Sequence, residues 1–136
     1  MEKISKHITL KEATFSQTAE NLKINNTPGQ KELEAMMLVA EKCFEPLRTW
    51  YGKPIRINSF YRNAALNKAV KGSSTSQHLK GEAIDLDAGS KEENKKLFEW
   101  CRDNLTFDQL INEYNYSWVH ISYSKTKNRK QILIIK

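Results

Sequence analysis

Leu33, Met36, Met37, Ala40, Phe44 and Leu47 recur at the three- and four-residue intervals that align apolar side chains on one helical face. Ahead of them Thr27 offers an N-cap, Pro28 the first helical position and Gln30 a reciprocal cap, so the spacing predicts a long amphipathic helix ending near Gly52. Pro46 lies inside this run without an amide hydrogen, which predicts a kink or boundary between Lys42 and Pro46. Leu97, Phe98, Cys101 and Leu105 repeat behind Ser90 to Glu93, a capping-box pattern, and predict a second main helix. Thr9 to Glu12 is another such box. It opens a short helix in a lead segment, residues 1–26, which is otherwise polar, is expected to hold a further turn or loop, and packs over the rest. Asn63 to Val70 predicts a short helix closed by Gly72.

Elsewhere the period falls to two. Lys53 to Ser59 and Ala83 to Asp87 alternate apolar and polar positions as strands do. Phe107 to Glu113 and Trp118 to Tyr123 flank the polar turn Tyr114 to Ser117 and read as a hairpin, with Gln131 to Ile135 as a further strand. The pattern gives an α+β fold, a single domain over residues 1–136 whose small, mainly antiparallel sheet is flanked by helices.

A chain of 136 residues can bury one real core, and two domains would be cramped. No apolar run approaches a membrane span, and Met1 to Leu10 shows no secretion signal, so no membrane partner is expected, and any action outside the cell would need release by lysis, delivery in a particle or export with a partner. Cys43 and Cys101 form no CxxC pair and fall on helical apolar stripes, which predicts buried free thiols. The formal charge of +6 favours approach to a polyanion, either nucleic acid or an acidic bacterial wall. The basic residues are spread along the chain with no arginine-rich arm, so nucleic acid is the disfavoured partner and a solvated surface is the plain explanation.

The chemistry concentrates in Ser76 to Asp85, where His78 and Asp85 stand seven positions apart around Gly81, and in Trp118 to Ser122, which carries His120. Two imidazoles and one carboxylate make a three-ligand set suited to zinc, with the fourth tetrahedral position open for water, and so point to metal-assisted hydrolysis. If Ile84 and Leu86 face the core, Asp85 and Asp87 share the other face with Ala83. If Glu113 pairs with Trp118 across the turn, Glu113, Trp118 and His120 also share a face, and that carboxylate can reach water on the metal. A slip of one residue turns Glu113 away. Tyr114, Tyr116 and Trp118 either line a groove or pack on one another, Asp87 either supports the ligands or caps the loop at Ala88 and Gly89, and His7 reads as a surface residue.

The S-x-H-x-x-G-x-A-x-D pattern of Ser76 to Asp85, together with Ile57 to Arg62, Phe107 to Ile111 and Trp118 to His120, resembles the zinc D-alanyl-D-alanine carboxypeptidases and their phage and bacterial relatives. The resemblance covers most of the chain from about His7 onward. It implies the fold shared by these peptidases and the hedgehog signalling domain, Zn2+ on His78, Asp85 and His120, and Arg62 on a substrate carboxylate or the developing oxyanion. It also gives Ser76 a supporting role. The implied activity is hydrolysis of amide bonds in peptidoglycan stem peptides, either removal of terminal D-alanine or cleavage between L-alanine and D-glutamate. By the same resemblance the chain is of bacterial or phage origin, an endolysin-like monomer made in the cytoplasm that acts on the wall after release or delivery.

Many relatives carry an acidic residue three positions before the last zinc histidine, where this chain has Ser117. Glu113 is the first substitute as general base, ahead of Asp108 and Asp87. The alternative is a zinc-containing module that binds wall peptides, or a phage structural part, with weak or absent turnover.

Overall fold

Apolar anchors give the lead segment more structure than its polar composition suggests. In the computed structural model, which describes residues 2–136, β1 (Lys3–Ser5) and β2 (Ile8–Thr9) pair antiparallel, with Ile4 and Ile8 buried in the main core. The Thr9–Glu12 box opens α1 (Leu10–Thr14), and Ser16 caps α2 (Gln17–Leu22), a helix where only a turn or loop is predicted. Backbone bonds stitch the segment down. Ala13 O accepts from Tyr61 N at 3.1 Å, and Asn26 Nδ2 donates to Tyr61 O at 2.9 Å.

The main helix begins later than its sequence suggests. Thr27 Oγ1 donates to Asn25 Oδ1 and caps nothing; the cap of α3 (Gln30–Val39) is Gly29, whose N–H is taken by Glu32 Oε1 at 3.2 Å. The predicted break is a π-helical turn over Ala40–Phe44, followed by α4 (Glu45–Tyr51) and left-handed Gly52. Pro46 has no N–H for the carbonyl one turn back, and the widened turn absorbs the mismatch while burying Ala40, Cys43 and Phe44.

After β3 (Arg56–Ser59) come α5 (Ala64–Ala69), a 3₁₀ turn over Gln77–Lys80, and β4 (Ala83–Asp87). Then follow α6 (Lys91–Asn104), β5 (Gln109–Glu113), β6 (Trp118–Ser122) and β7 (Gln131–Ile135). Ser90 Oγ caps α6 by accepting from Glu93 N at 3.1 Å, whereas Glu93 turns its carboxylate to Tyr51, Lys53 and Lys96, so the predicted box is only half made.

The sheet runs β3-β4-β6-β5-β7. It is mixed: the β5–β7 pair is parallel and the other three are antiparallel. Because β6 returns to where β5 began, the following loop only has to step past that end for β7 to run alongside β5. Alternation then divides the two faces. Ile84, Leu86, Leu110, Val119 and Ile121 are buried in the core with α3, α4 and α6, while Asp85, Ile111, Glu113, Trp118 and His120 alternate with them toward the other side. Among the described residues no helix is long and apolar enough to cross a membrane.

Candidate metal centre

His78 sits on the 3₁₀ turn, and that turn is fixed at both ends. At its start Ser76 Oγ accepts from His78 N at 3.2 Å; at its end Gly81 adopts φ 73°. A side chain at Gly81 would also bring Cβ to 2.6 Å from Glu32 O, so both the backbone conformation and the approach of α3 require glycine. His78 is 2% exposed, with its ring Nδ1 2.6 Å from Phe60 O. A carbonyl can only accept, so Nδ1 carries a proton and Nε2 is the nitrogen turned toward Asp85.

Asp85 and His120 are direct cross-strand partners on β4 and β6. Asp85 Oδ2 lies 3.1 Å from His78 Nε2, and Asp85 Oδ1 lies 2.8 Å from His120 Nδ1. One donor atom from each of the three residues falls within 4.8 Å of the others. Burial disfavours the Asp85 charge, but His78 and then His120 outweigh it and hold the carboxyl well below the ordinary range. The donor set fits a metal ion: two imidazole nitrogens, one ionised carboxylate, and an outer carbonyl that fixes the tautomer of one ligand. Neither cysteine offers a competing thiolate, since both are buried and burial pushes the Cys43 thiol up to about 12.

The three residues line a cleft of about 780 Å³ together with Arg62, Glu113 and Trp118. Arg62 follows β3, its N–H donates to His78 O at 3.2 Å, and Nη2 donates to Ser76 Oγ at 3.2 Å. Its Nε is buried without a protein partner, so part of the guanidinium fork remains to be satisfied. Burial pulls its pKa down while Asp85 and Glu113 favour its charge.

Glu113 pairs with Trp118 and Ile111 with His120, the register that puts Glu113 on the side of the sheet bearing His120. Its Oε2 accepts from Trp118 Nε1 at 2.5 Å. Burial, and then the charge of Asp85, raise the Glu113 pKa against the opposing pull of Trp118 and the histidines. The other carboxylates considered as bases are engaged elsewhere. Asp108 is buried against Arg129, with bonds of 2.7 and 3.0 Å to Nε and Nη2. Asp87 Oδ1 caps the loop by accepting from Gly89 N at 2.9 Å and also accepts from Asn94 Nδ2. Ser117 lies in the hairpin turn, its hydroxyl donating to Tyr114 O at 2.6 Å.

Both readings of the aromatic cluster hold in part. Tyr114 and Trp118 pack at 5.2 Å and line the cleft, whereas Tyr116 packs edge-on to Phe98 at 5.7 Å. His7 is more than a surface residue, because its Nδ1 meets Glu45 Oε1 at 2.7 Å and its N–H is bound by Oε2. Lys71 and Arg129 also line the cleft and stand in no motif, and Gln109, inside Phe107 to Ile111, lines it without being among the predicted site residues. Arg129 arrives there through the loop before the parallel strand, a placement that no local pattern encodes.

Compared with known protein families, residues 5–122 match a family model described as Peptidase M15. Among curated proteins nothing matches the chain.

Proposed function

The chain belongs to the peptidase M15 family, and from that membership we propose that it is a zinc-dependent peptidase acting on the stem peptides of bacterial peptidoglycan. One observation is the main support: His78, Asp85 and His120 converge to donor atoms within 4.8 Å in a cleft that also holds Arg62 and Glu113. Two imidazoles and a carboxylate suit Zn2+, which when bound supplies a Lewis acid and acidifies water in its open position.

The chain's own residues do the rest. Phe60 O and the Ser76 cap hold the His78 ring in place. Glu113, with its pKa raised toward the working range, accepts the proton of the attacking water and returns it to the leaving amine. Trp118 orients that carboxylate through Oε2, leaving Oε1 for the proton. Arg62, which lines the cleft, binds a substrate carboxylate or the developing oxyanion through its guanidinium. A terminal carboxylate on Arg62 corresponds to release of D-alanine, and an internal substrate to cleavage between L-alanine and D-glutamate. The protein works as a monomer on the wall, after release or delivery from the cell or particle that made it.

The test is incubation of zinc-loaded protein with peptidoglycan and with short stem peptides, reading released D-alanine and new amino termini against zinc-free protein and His78→Ala. Zinc-dependent product supports the peptidase. Ser117 favours a second reading, a zinc-containing module that binds wall peptides; zinc-loaded protein that sediments with peptidoglycan yet cuts nothing would establish it instead.

A further inference from the structure

The turn between β5 and β6 passes through three successive left-handed residues, Tyr114 (φ 51°), Asn115 (φ 55°) and Tyr116 (φ 59°). Residues with a Cβ visit this region singly rather than in runs, and none of the three is glycine. Such a conformation persists only where its surroundings over-determine it. Two restraints are local: Asn112 Oδ1 accepts from Tyr116 N, and Ser117 Oγ donates to Tyr114 O, both at 2.6 Å.

The backbone adds two more, Ser117 N to Glu113 O at 3.0 Å and Tyr114 N to Ile135 O on β7 at 2.7 Å. The side-chain restraints from outside the hairpin strands come from Asn94 on α6, which is 1% exposed. Its Nδ2 hydrogens are shared among Tyr116 O at 3.0 Å, Ser117 O at 3.3 Å and Asp87 Oδ1 at 3.0 Å. Its Oδ1 accepts from Ala88 N at 2.6 Å. One amide therefore joins the end of the strand that carries Asp85 to the turn that connects Glu113 with Trp118. Asn94 touches neither the metal-ligand set nor the cleft.

Resting on the reading of Glu113 as proton carrier, we infer that Asn94 is a positioning residue for the Glu113–Trp118 pair. It holds a turn whose backbone otherwise relaxes, and the register Glu113 to Trp118 depends on that turn. The requirement is for an amide: a carboxylate at position 94 keeps the acceptor for Ala88 N, loses both donors, and places charge against Asp87.

Asn94→Asp is the test, read on Trp118. The Trp118 indole N–H donates to Glu113 Oε2, so its resonance in a nitrogen–proton correlation spectrum reports the pair without metal or turnover. Trp118→Phe identifies that resonance by its disappearance. In metal-free Asn94→Asp it is expected to move most of the way to its position in Glu113→Ala, while the Trp50 and Trp100 resonances stay. In zinc-loaded protein kcat is expected to fall about tenfold or more, with KM and bound zinc unchanged. Adding Asn115→Gly, which relieves the left-handed cost at a position Asn94 does not touch, is expected to move the resonance back. A Trp118 resonance that stays in place in Asn94→Asp overturns the inference whatever the activity. If that variant does not fold, Asn94→Ser, which keeps one donor, is judged by the same criterion. A displaced resonance in a chain that cuts no stem peptide supports the role of Asn94 in holding the pair and counts against the peptidase.

Discussion

Asp85 and His120, far apart in sequence, are direct partners across β4 and β6, with Oδ1 and Nδ1 2.8 Å apart. The candidate metal centre is thus built mainly on regular sheet, and of its three residues only His78 is supplied by a turn. A site carried by paired strands is held by the whole ladder, so single ligand changes should leave the fold standing.

Asp85→Asn is expected to remain folded and to lose metal affinity about 10-fold or more, because an amide oxygen carries no charge to offset the ion. Wild-type protein should melt higher with zinc than with chelator, by the equivalent of about 2.7 kcal/mol when free zinc is near a hundred times its Kd. Asp85→Asn at the same zinc concentration should show a smaller rise. Calorimetry at both metal levels checks this.

Glu113→Gln should lower kcat by about 10²- to 10⁴-fold while bound zinc is unchanged. A base must be ionised to work, so wild-type activity rises as pH climbs through the Glu113 pKa, which burial and Asp85 hold above the ordinary value. The Trp118 hydrogen bond pulls that pKa down. Trp118→Phe should therefore move the acidic limb of the kcat/KM profile to higher pH, and a shift to lower pH would contradict the role given to the indole.

Gly81→Ala combines a left-handed backbone with a close contact to Glu32 O. A loss of about 1–3 kcal/mol in urea denaturation is expected. Zinc affinity should fall with it, since the same turn carries His78.

Arg62→Lys keeps the charge but not the planar fork. It is expected to lose about 10-fold or more in kcat/KM on substrates with a free carboxylate, nearly as much as Arg62→Ala, as measured by steady-state kinetics.

Acid should loosen the edge of the sheet at β7. The hydrogen bond from Arg129 holds the Asp108 carboxyl below its ordinary value against the effect of burial. The stabilisation is present above the unfolded carboxyl pKa of about 3.9 and is lost as pH falls through the lower folded value. Asp108→Asn should lower the urea midpoint at pH 7 and flatten its fall between pH 5 and pH 2.

What the sequence made legible follows from what its patterns encode. The period of two along Ala83–Asp87 and Trp118–Ser122 was enough to put Asp85 and His120 on faces away from the core, whereas the pairing of Glu113 with Trp118, which the structure has, was one of the registers that periodicity left open. Local patterns could not show that α3 starts at Gln30 with Gly29 as its cap rather than Thr27, or that Tyr51, Lys53 and Lys96 draw Glu93 from its cap. Nor could they reveal Asn94, a polar residue on the buried side of a helix whose partners lie on two other elements. The parallel placement of β7, and with it Arg129 at the cleft, depends on the path of a loop rather than on periodicity.

The peptidase reading stands or falls most directly on metal add-back. Chelator-stripped protein is mixed with a defined stem peptide, stoichiometric zinc is restored, and the products are read by mass spectrometry alongside His120→Ala. Cleavage that is absent without zinc, returns with it, and stays absent in His120→Ala is the expected result. Cleavage that persists in stripped protein, or none after zinc is shown to be bound, would contradict it.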